Sequence, residues 1–135
     1  SKACKKNNMD LLLESNMTPK QFENLKKKIN STNCYFLFDT GNRILKNKNP
    51  TKDILEFKKN IKHVHLKDKN INNKNVIFGY GKVNFNLIFT ALKKIKYKGS
   101  FAIESQRGKN ITLQATNNLN FFNQTLGYFF FQNNL

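Results

Sequence analysis

Glu14, Asp39, His65 and Glu104 are the residues of this 135-residue chain whose types and spacing could do chemistry. They stand 25, 26 and 39 residues apart, each at or near the end of a short apolar run: residues 9–14, 34–39, 61–66 and 100–104. Three carboxylates and one imidazole suit a divalent ion such as Mn²⁺, Mg²⁺, Co²⁺ or Zn²⁺, and the set lacks the thiolates of structural zinc sites. Open positions on such an ion would accept substrate oxygens and polarise a carbonyl. The plainer alternative is that acids at strand ends cap neighbouring helices or pair with lysines. The chain has only eight acidic residues, however, and three of them fall at these four ends.

The four apolar runs must position these groups. Their length and near-continuous hydrophobicity suit strands of a buried parallel sheet. Alternation puts Leu12 with Glu14, Leu37 with Asp39, His63 with His65 and Ala102 with Glu104 on one face. The opposite faces, carrying Leu11, Leu13, Phe36, Phe38, Val64, Leu66, Phe101 and Ile103, are expected to pack under outer helices.

Helices are predicted between the strands. One spans 19–29, opened by Thr18 and Pro19. A shorter one spans 53–59, opened by Thr51. A third spans 85–95, with Phe85, Ile88, Phe89, Leu92 and Ile95 on one face. A fourth spans 111–122 with Leu113, Leu119 and Phe122, and residues 1–8 read as the tail of a helix before the first strand.

Strands alternating with helices of this size predict an α/β fold of parallel βαβ units with right-handed crossovers. An open doubly wound sheet and a closed eightfold barrel both use such units, and both place their chemistry at the C-terminal strand ends. No glycine-rich dinucleotide fingerprint or phosphate loop follows any strand, and Gly79-Tyr80-Gly81 reads as a turn. That favours the barrel, whose eight units allow about 31 residues each.

The net charge of +16 invites a nucleic-acid reading. Yet the basic residues are almost all Lys, with Arg only at Arg43 and Arg107, and they mix with Asn and Phe along the whole chain. Arg would be expected to share specific recognition of phosphates and bases. The composition therefore reads as a solvated basic surface, with non-specific attraction to polyanions and no specific nucleic-acid face. No run of about 18 apolar residues predicts a membrane span, and no apolar signal core follows the basic N-terminus. Cys4 and Cys34, without a CxxC pattern, argue against a disulfide framework and for a reducing, cytoplasmic setting.

The motifs Phe38-Asp39-Thr40-Gly41-Asn42, Ile61-Lys62-His63-Val64-His65-Leu66-Lys67-Asp68 and Val76-Ile77-Phe78-Gly79-Tyr80-Gly81-Lys82-Val83-Asn84-Phe85, followed by Phe101-Ala102-Ile103-Glu104 and Arg107-Gly108, carry a family resemblance. Together they resemble the xylose-isomerase-like sugar phosphate isomerase/epimerase family, and are most similar to its hexulose-phosphate isomerase and ribulose-phosphate 3-epimerase branch. The resemblance covers nearly the whole chain. It implies a single partial domain over residues 1–135, the C-terminal half of a (β/α)8 TIM barrel with strands five to eight. It further implies Glu14, Asp39, His65 and Glu104 as the metal ligands, with Mn²⁺ foremost among the candidate ions.

In family members that epimerise, the two glutamates also form the acid–base pair. One removes a proton alpha to the carbonyl of a ketose or ketose phosphate, the metal stabilises the cis-enediolate, and the other returns a proton. Asn42 lies where some relatives carry a substrate-contacting histidine. His63, one layer beneath His65, is a hydrogen-bonding candidate. Lys67 and Arg107, just beyond strand ends, could hold a phosphate, although a solvated surface position is an equal reading for Lys67. Asn42, His63, Lys67 and Arg107 are thus the candidate substrate-binding residues.

Half a barrel leaves two strand edges unpaired. A separate N-terminal half, self-association or a truncated reading frame is therefore expected, with Tyr128, Phe129, Phe130 and Phe131 packing on the other half. The isolated chain is expected to have little activity. Two readings compete: an endonuclease-IV-like phosphodiesterase, which needs a histidine-rich multi-zinc cluster, and a non-catalytic half-barrel that binds sugar or regulates.

Overall fold

The structure, a computed structural model, describes residues 2–44, 49–106 and 109–127. Strands β1 (Leu11–Glu14), β2 (Cys34–Asp39), β3 (Ile61–Leu66) and β4 (Ser100–Ile103) form one parallel sheet in the order β1-β2-β3-β4. Helix α1 (Lys2–Lys6) precedes β1, and α2 (Pro19–Lys28) joins β1 to β2. Between β2 and β3 lie α3 (Thr40–Ile44), α4 (Pro50–Phe57) and a 3₁₀ turn, Lys58–Asn60. Helix α5 (Phe85–Lys94) leads to β4, and α6 (Ile111–Leu126) follows it. Each strand pairs only with its sequence neighbours. The strand order never reverses, as it does at the switch point of a doubly wound sheet.

The helix starts use the chain's abundant Asn. Asn49, Asn84 and Asn110 each accept from the backbone N–H three residues on, at 3.0, 3.1 and 3.0 Å, capping α4, α5 and α6. Helix α2 starts with a capping box. Gln21 N–H donates to Thr18 Oγ1 at 3.3 Å, and Thr18 N–H donates to Gln21 Oε1 at 2.8 Å. The sequence reading opened α4 at Thr51. The cap lies two residues earlier, at Asn49, with Pro50 in the first turn. Helix α3 was not anticipated, since its five residues are too few to show periodicity.

The sheet's outer face and the helices bury a phenylalanine-rich core. Phe36 stacks on Phe57 with centroids 4.1 Å apart, and Phe22 meets Phe36 edge-on at 5.3 Å. A second cluster packs Phe78, Phe85, Phe89 and Phe122 beneath α5 and α6. As expected, Phe36, Phe38, Val64 and Leu66 are fully buried under the helices. Ile103 departs from that pattern. On edge strand β4 it is 40% exposed.

Helix α6 also departs from the expected apolar stripe. Phe122 is buried together with Asn118, whereas Leu113 and Leu119 are exposed. The aromatic stretch from Tyr128 to Phe131 lies outside the described residues. Among the described residues no helix is long and apolar enough to cross a membrane.

The pairing of β2 with β3 contains a register shift. Phe36 pairs with Ile61, but Leu37 pairs with His63, so Lys62 is an extra residue on β3. Beyond the shift, Phe38 pairs with Val64 and Asp39 with His65.

Candidate metal centre

Glu14 ends β1, Asp39 ends β2, and His65 is the penultimate residue of β3. Glu104 directly follows β4, its N–H donating to Leu66 O at 2.9 Å, so the ladder continues through it. Paired residues in a sheet share a face. The pairs Glu14–Leu37, Leu37–His63, Asp39–His65 and His65–Ala102 therefore put the candidate ligands on one face at one rim.

The side chains converge there. Ligand atoms of Glu14, Asp39 and His65 lie within 4.8 Å of one another. His65 Nδ1 is 3.1 Å from Glu104 Oε2 and 3.8 Å from Glu14 Oε2. Neighbours aim the carboxylates. Asn42 N–H donates to Asp39 Oδ1 at 2.8 Å, and Asn42 Nδ2 donates to Glu14 Oε1 at 3.2 Å. Lys67 Nζ sits 2.7 Å from Glu104 Oε1 and 2.9 Å from Asp39 Oδ2. Glu14 and Glu104 thus each have one oxygen engaged by a neighbouring donor, and Asp39 has both.

A divalent ion fits this set. Asp39 Oδ2 is buried with the Lys67 ammonium against it, and His65 Nδ1 is buried without a hydrogen-bond partner; leaving a group such as the latter unsatisfied costs about 1–3 kcal/mol. The Asp39 oxygen has the Lys67 ammonium as an ion-pair neighbour, while His65 Nδ1 faces two glutamate oxygens. Carboxylate oxygens and one imidazole nitrogen are the donors that Mn²⁺, Mg²⁺, Co²⁺ and Zn²⁺ accept.

The remaining sequence candidates fall in three places. Asn42 joins the rim. His63 lies one layer below, its Nδ1 2.7 Å from Ser100 Oγ and its ring edge-on to His65 at 5.2 Å. Burial, with His65 beside it, holds His63 below the ordinary histidine value. Lys67 is not the solvated surface lysine that the sequence allowed: it is 7% exposed and paired with two of the candidate ligands. Burial pushes its ammonium down, but Glu104 and Asp39 more than offset this and leave it above the usual lysine value. Arg107 lies outside the described residues.

Two supporting residues escaped the sequence reading. Asp68, 1% exposed, accepts from the backbone N–H groups of Lys69, Gly79, Gly81 and Val83 at 2.9, 3.0, 2.9 and 3.1 Å. It holds the loop between β3 and α5 against the end of β3. The turn at Gly79-Tyr80-Gly81 was visible in the sequence, but not that a carboxylate 11 residues earlier organises it. Arg43, 2% exposed, pairs with Asp53 at 3.1 Å and donates to Met17 O at 2.7 Å. Its guanidinium lies 5.0 and 5.1 Å from the ring centroids of Phe36 and Phe57. No pattern in the sequence separated this arginine from a surface one.

A parallel sheet in consecutive order with its polar groups gathered at one strand-end rim is barrel architecture. The chain belongs to the family described as Xylose isomerase-like TIM barrel, which matches it over residues 2–125. Among curated relatives, inosose dehydratase of Clostridium botulinum (strain Eklund 17B / Type B) is 28% identical over 112 residues, covering 70% of this chain and 38% of the relative. A D-tagatose 3-epimerase-like protein superposes with a TM-score of 0.78 at 26% identity, covering 94% of this chain and 50% of that one. An IOLI protein, solved with a binding zinc atom, superposes with a TM-score of 0.78 at 16% identity, covering 96% and 53%. The chain spans about half the length of these solved structures, and less than half of the curated relative. Its fold is half of a (β/α)8 barrel.

Proposed function

We propose that this chain carries strands five to eight of a metal-dependent sugar isomerase or epimerase, and with them the acid–base and metal-binding side chains. The observation that carries the reading is the convergence of Glu14, Asp39, His65 and Glu104, one from each of four successive strand ends. These four residues would hold the divalent ion, Mn²⁺ first among the candidates. When bound, the ion supplies positive charge to balance an enediolate.

The chain's own residues do the rest. Glu14 and Glu104 are the more open members of the set, with side chains 41% and 46% exposed, and both can reach a bound sugar. One takes the proton alpha to the carbonyl, giving a cis-enediolate, and the other returns a proton to it. Asp39 is 3% exposed and fixed by Asn42 and Lys67, which suits holding a ligand more than moving a proton. Asn42 can offer its amide to a substrate hydroxyl only by sharing or releasing Glu14.

The substrate class is a ketose. Phosphate recognition by Lys67 would require breaking two ion pairs, so that duty would fall to Arg107 or to loops elsewhere. Turnover needs the barrel closed, whether by further polypeptide or by another subunit, because substrate loops come from all eight strands.

A second reading is supported by the curated relative. Dehydration of a keto-polyol also begins by removing a proton alpha to a carbonyl, and an inosose dehydratase is 28% identical to this chain. The endonuclease-IV-like alternative would need its further histidines from strands outside this chain. The chain's two histidines are His63 and His65, and His63 is engaged with Ser100.

The test is proton exchange in D₂O with Mn²⁺ and a panel of ketoses, using the chain in a closed barrel. Deuterium incorporation alpha to the carbonyl, lost in Glu14→Gln and Glu104→Gln, is expected. Loss of water with a new unsaturated product would select the dehydratase. Exchange that persists in both variants would sink the acid–base assignment.

A further inference from the structure

We infer that Lys67 is a resident counter-cation of the metal centre, occupying the carboxylates when no ion is bound and giving up Asp39 when one is. The inference rests on the metal reading above and adds to it a positioning residue that limits the site's affinity. Lys67 is built into the site. Its backbone is clamped by Thr40, whose Oγ1 donates to Lys67 O at 2.7 Å and accepts from Lys67 N–H at 2.9 Å. Its aliphatic stem crosses Gly41, where an added Cβ would lie 2.9 Å from Lys67 Cγ. A side chain at 41 would push the stem aside.

Its two contacts have different consequences. Asn42 N–H engages Asp39 Oδ1, so Oδ2 is the oxygen left for an ion, and it is the one Lys67 Nζ faces at 2.9 Å. There the ammonium competes with the metal. At Glu104 it takes Oε1 at 2.7 Å and leaves Oε2 pointing at His65 Nδ1, 3.1 Å away. There it aims a ligand. With His65 neutral, three carboxylates and one ammonium leave two negative charges for a dication to balance. Without the ammonium, the empty site holds three carboxylates in mutual repulsion, and an arriving ion meets no like charge.

The test uses thermal unfolding and Mn²⁺ calorimetry on the full chain as wild type, Lys67→Met, Lys67→Arg and Gly41→Ala. In chelator, Lys67→Met is expected to melt below wild type, saturating Mn²⁺ is expected to close the gap, and Lys67→Arg to restore metal-free melting. Its Mn²⁺ affinity should rise by at least about tenfold, since a unit charge a few ångströms away outweighs that factor even when well screened. Gly41→Ala keeps the charge but displaces the stem, so it should also bind Mn²⁺ more tightly; it decides the matter if Lys67→Met fails to fold. Weaker Mn²⁺ binding without the lysine, or a melting deficit equal with and without Mn²⁺, would overturn the inference. Equal affinity in wild type and variants sinks the competition alone, whereas no binding by any folded chain sinks the metal reading and the competition with it.

Discussion

Asp68 and Gly81 fit together so closely that the Gly81 N–H donates to Asp68 Oδ2 at 2.9 Å and an added Cβ at Gly81 would collide with the same carboxylate. Four backbone donors converge on Asp68, and it holds the loop that leads from the end of β3 to α5. Asp68→Ala leaves those donors without their acceptor in a largely part-buried setting, and a loss of about 1–3 kcal/mol is expected. Gly81→Ala is expected to cost a similar amount by displacing the carboxylate. Denaturant melts of both variants check this; two unchanged midpoints would show that the loop does not depend on the cradle.

Arg43 offers a second test of stability, remote from the rim. Its ion pair with Asp53 is almost fully desolvated, with side-chain exposures of 2% and 15%. Removing one partner of such a pair costs about 3–5 kcal/mol because the other charge loses its counter-charge, whereas replacing both partners by apolar groups of similar size costs far less. Arg43→Met is therefore expected to unfold the chain or nearly so although its stem still packs on Phe36 and Phe57, and the Arg43→Met/Asp53→Leu double variant to retain most of the stability. Equal melts for the two variants would remove the charge argument.

Metal-linked stabilisation should depend on the glutamates. An ion at 100 times its dissociation constant stabilises a protein by about 2.7 kcal/mol. Wild type is expected to gain about that much from Mn²⁺, and the Glu14→Gln/Glu104→Gln double variant almost nothing. The half-exposed positions of both side chains make the metal-free double variant foldable. A full Mn²⁺-induced shift in the double variant would remove both residues from the ligand set.

Asn42 touches two of the candidate ligands without being one. Its backbone N–H holds Asp39 and its side-chain amide holds Glu14. Asn42→Leu removes only the second contact, and a groups-behind-the-ligands role predicts a 10- to 100-fold weaker Mn²⁺ affinity, on the order seen when such supports are removed. Stability in chelator should hardly change. Calorimetry on the variant decides it, and unchanged affinity would make Asn42 a substrate contact alone.

The parts of this molecule that were legible in the sequence are those with a period or a terminus signal. Four apolar runs ending in Glu14, Asp39, His65 and Glu104 showed both the sheet and the rim, because a parallel strand buried on its outer face has nowhere else to put a charge. Thr18 and Pro19 marked α2 for the same kind of local reason. The place of Lys67 beyond a strand end was legible, but its burial against Asp39 and Glu104 was not. Among so many lysines nothing local separates one that folds back across Gly41 from one that points into water; the difference lies in Thr40 and Glu104, far away in sequence. Arg43 failed for the same reason, its partner Asp53 and its rings Phe36 and Phe57 being gathered only by tertiary packing. The exposed Leu113 and Leu119 show the converse limit: apolar periodicity announces a face but not what covers it.

The extra residue at Lys62 acts as a phase-setter for the whole rim. Below it, Ile61 sits beside Phe36 and is buried in the core; above it, His63 and His65 sit beside Leu37 and Asp39. Were the two strands to run in unbroken register from Phe36 and Ile61, Asp39 would lie beside Val64, and the imidazole would be turned into the hydrocarbon layer under the helices. One residue therefore decides whether β3 presents a ligand or a greasy side chain to its neighbours. Lengthening or shortening this strand by a single codon is a far larger change to the chemistry than most substitutions at the rim itself.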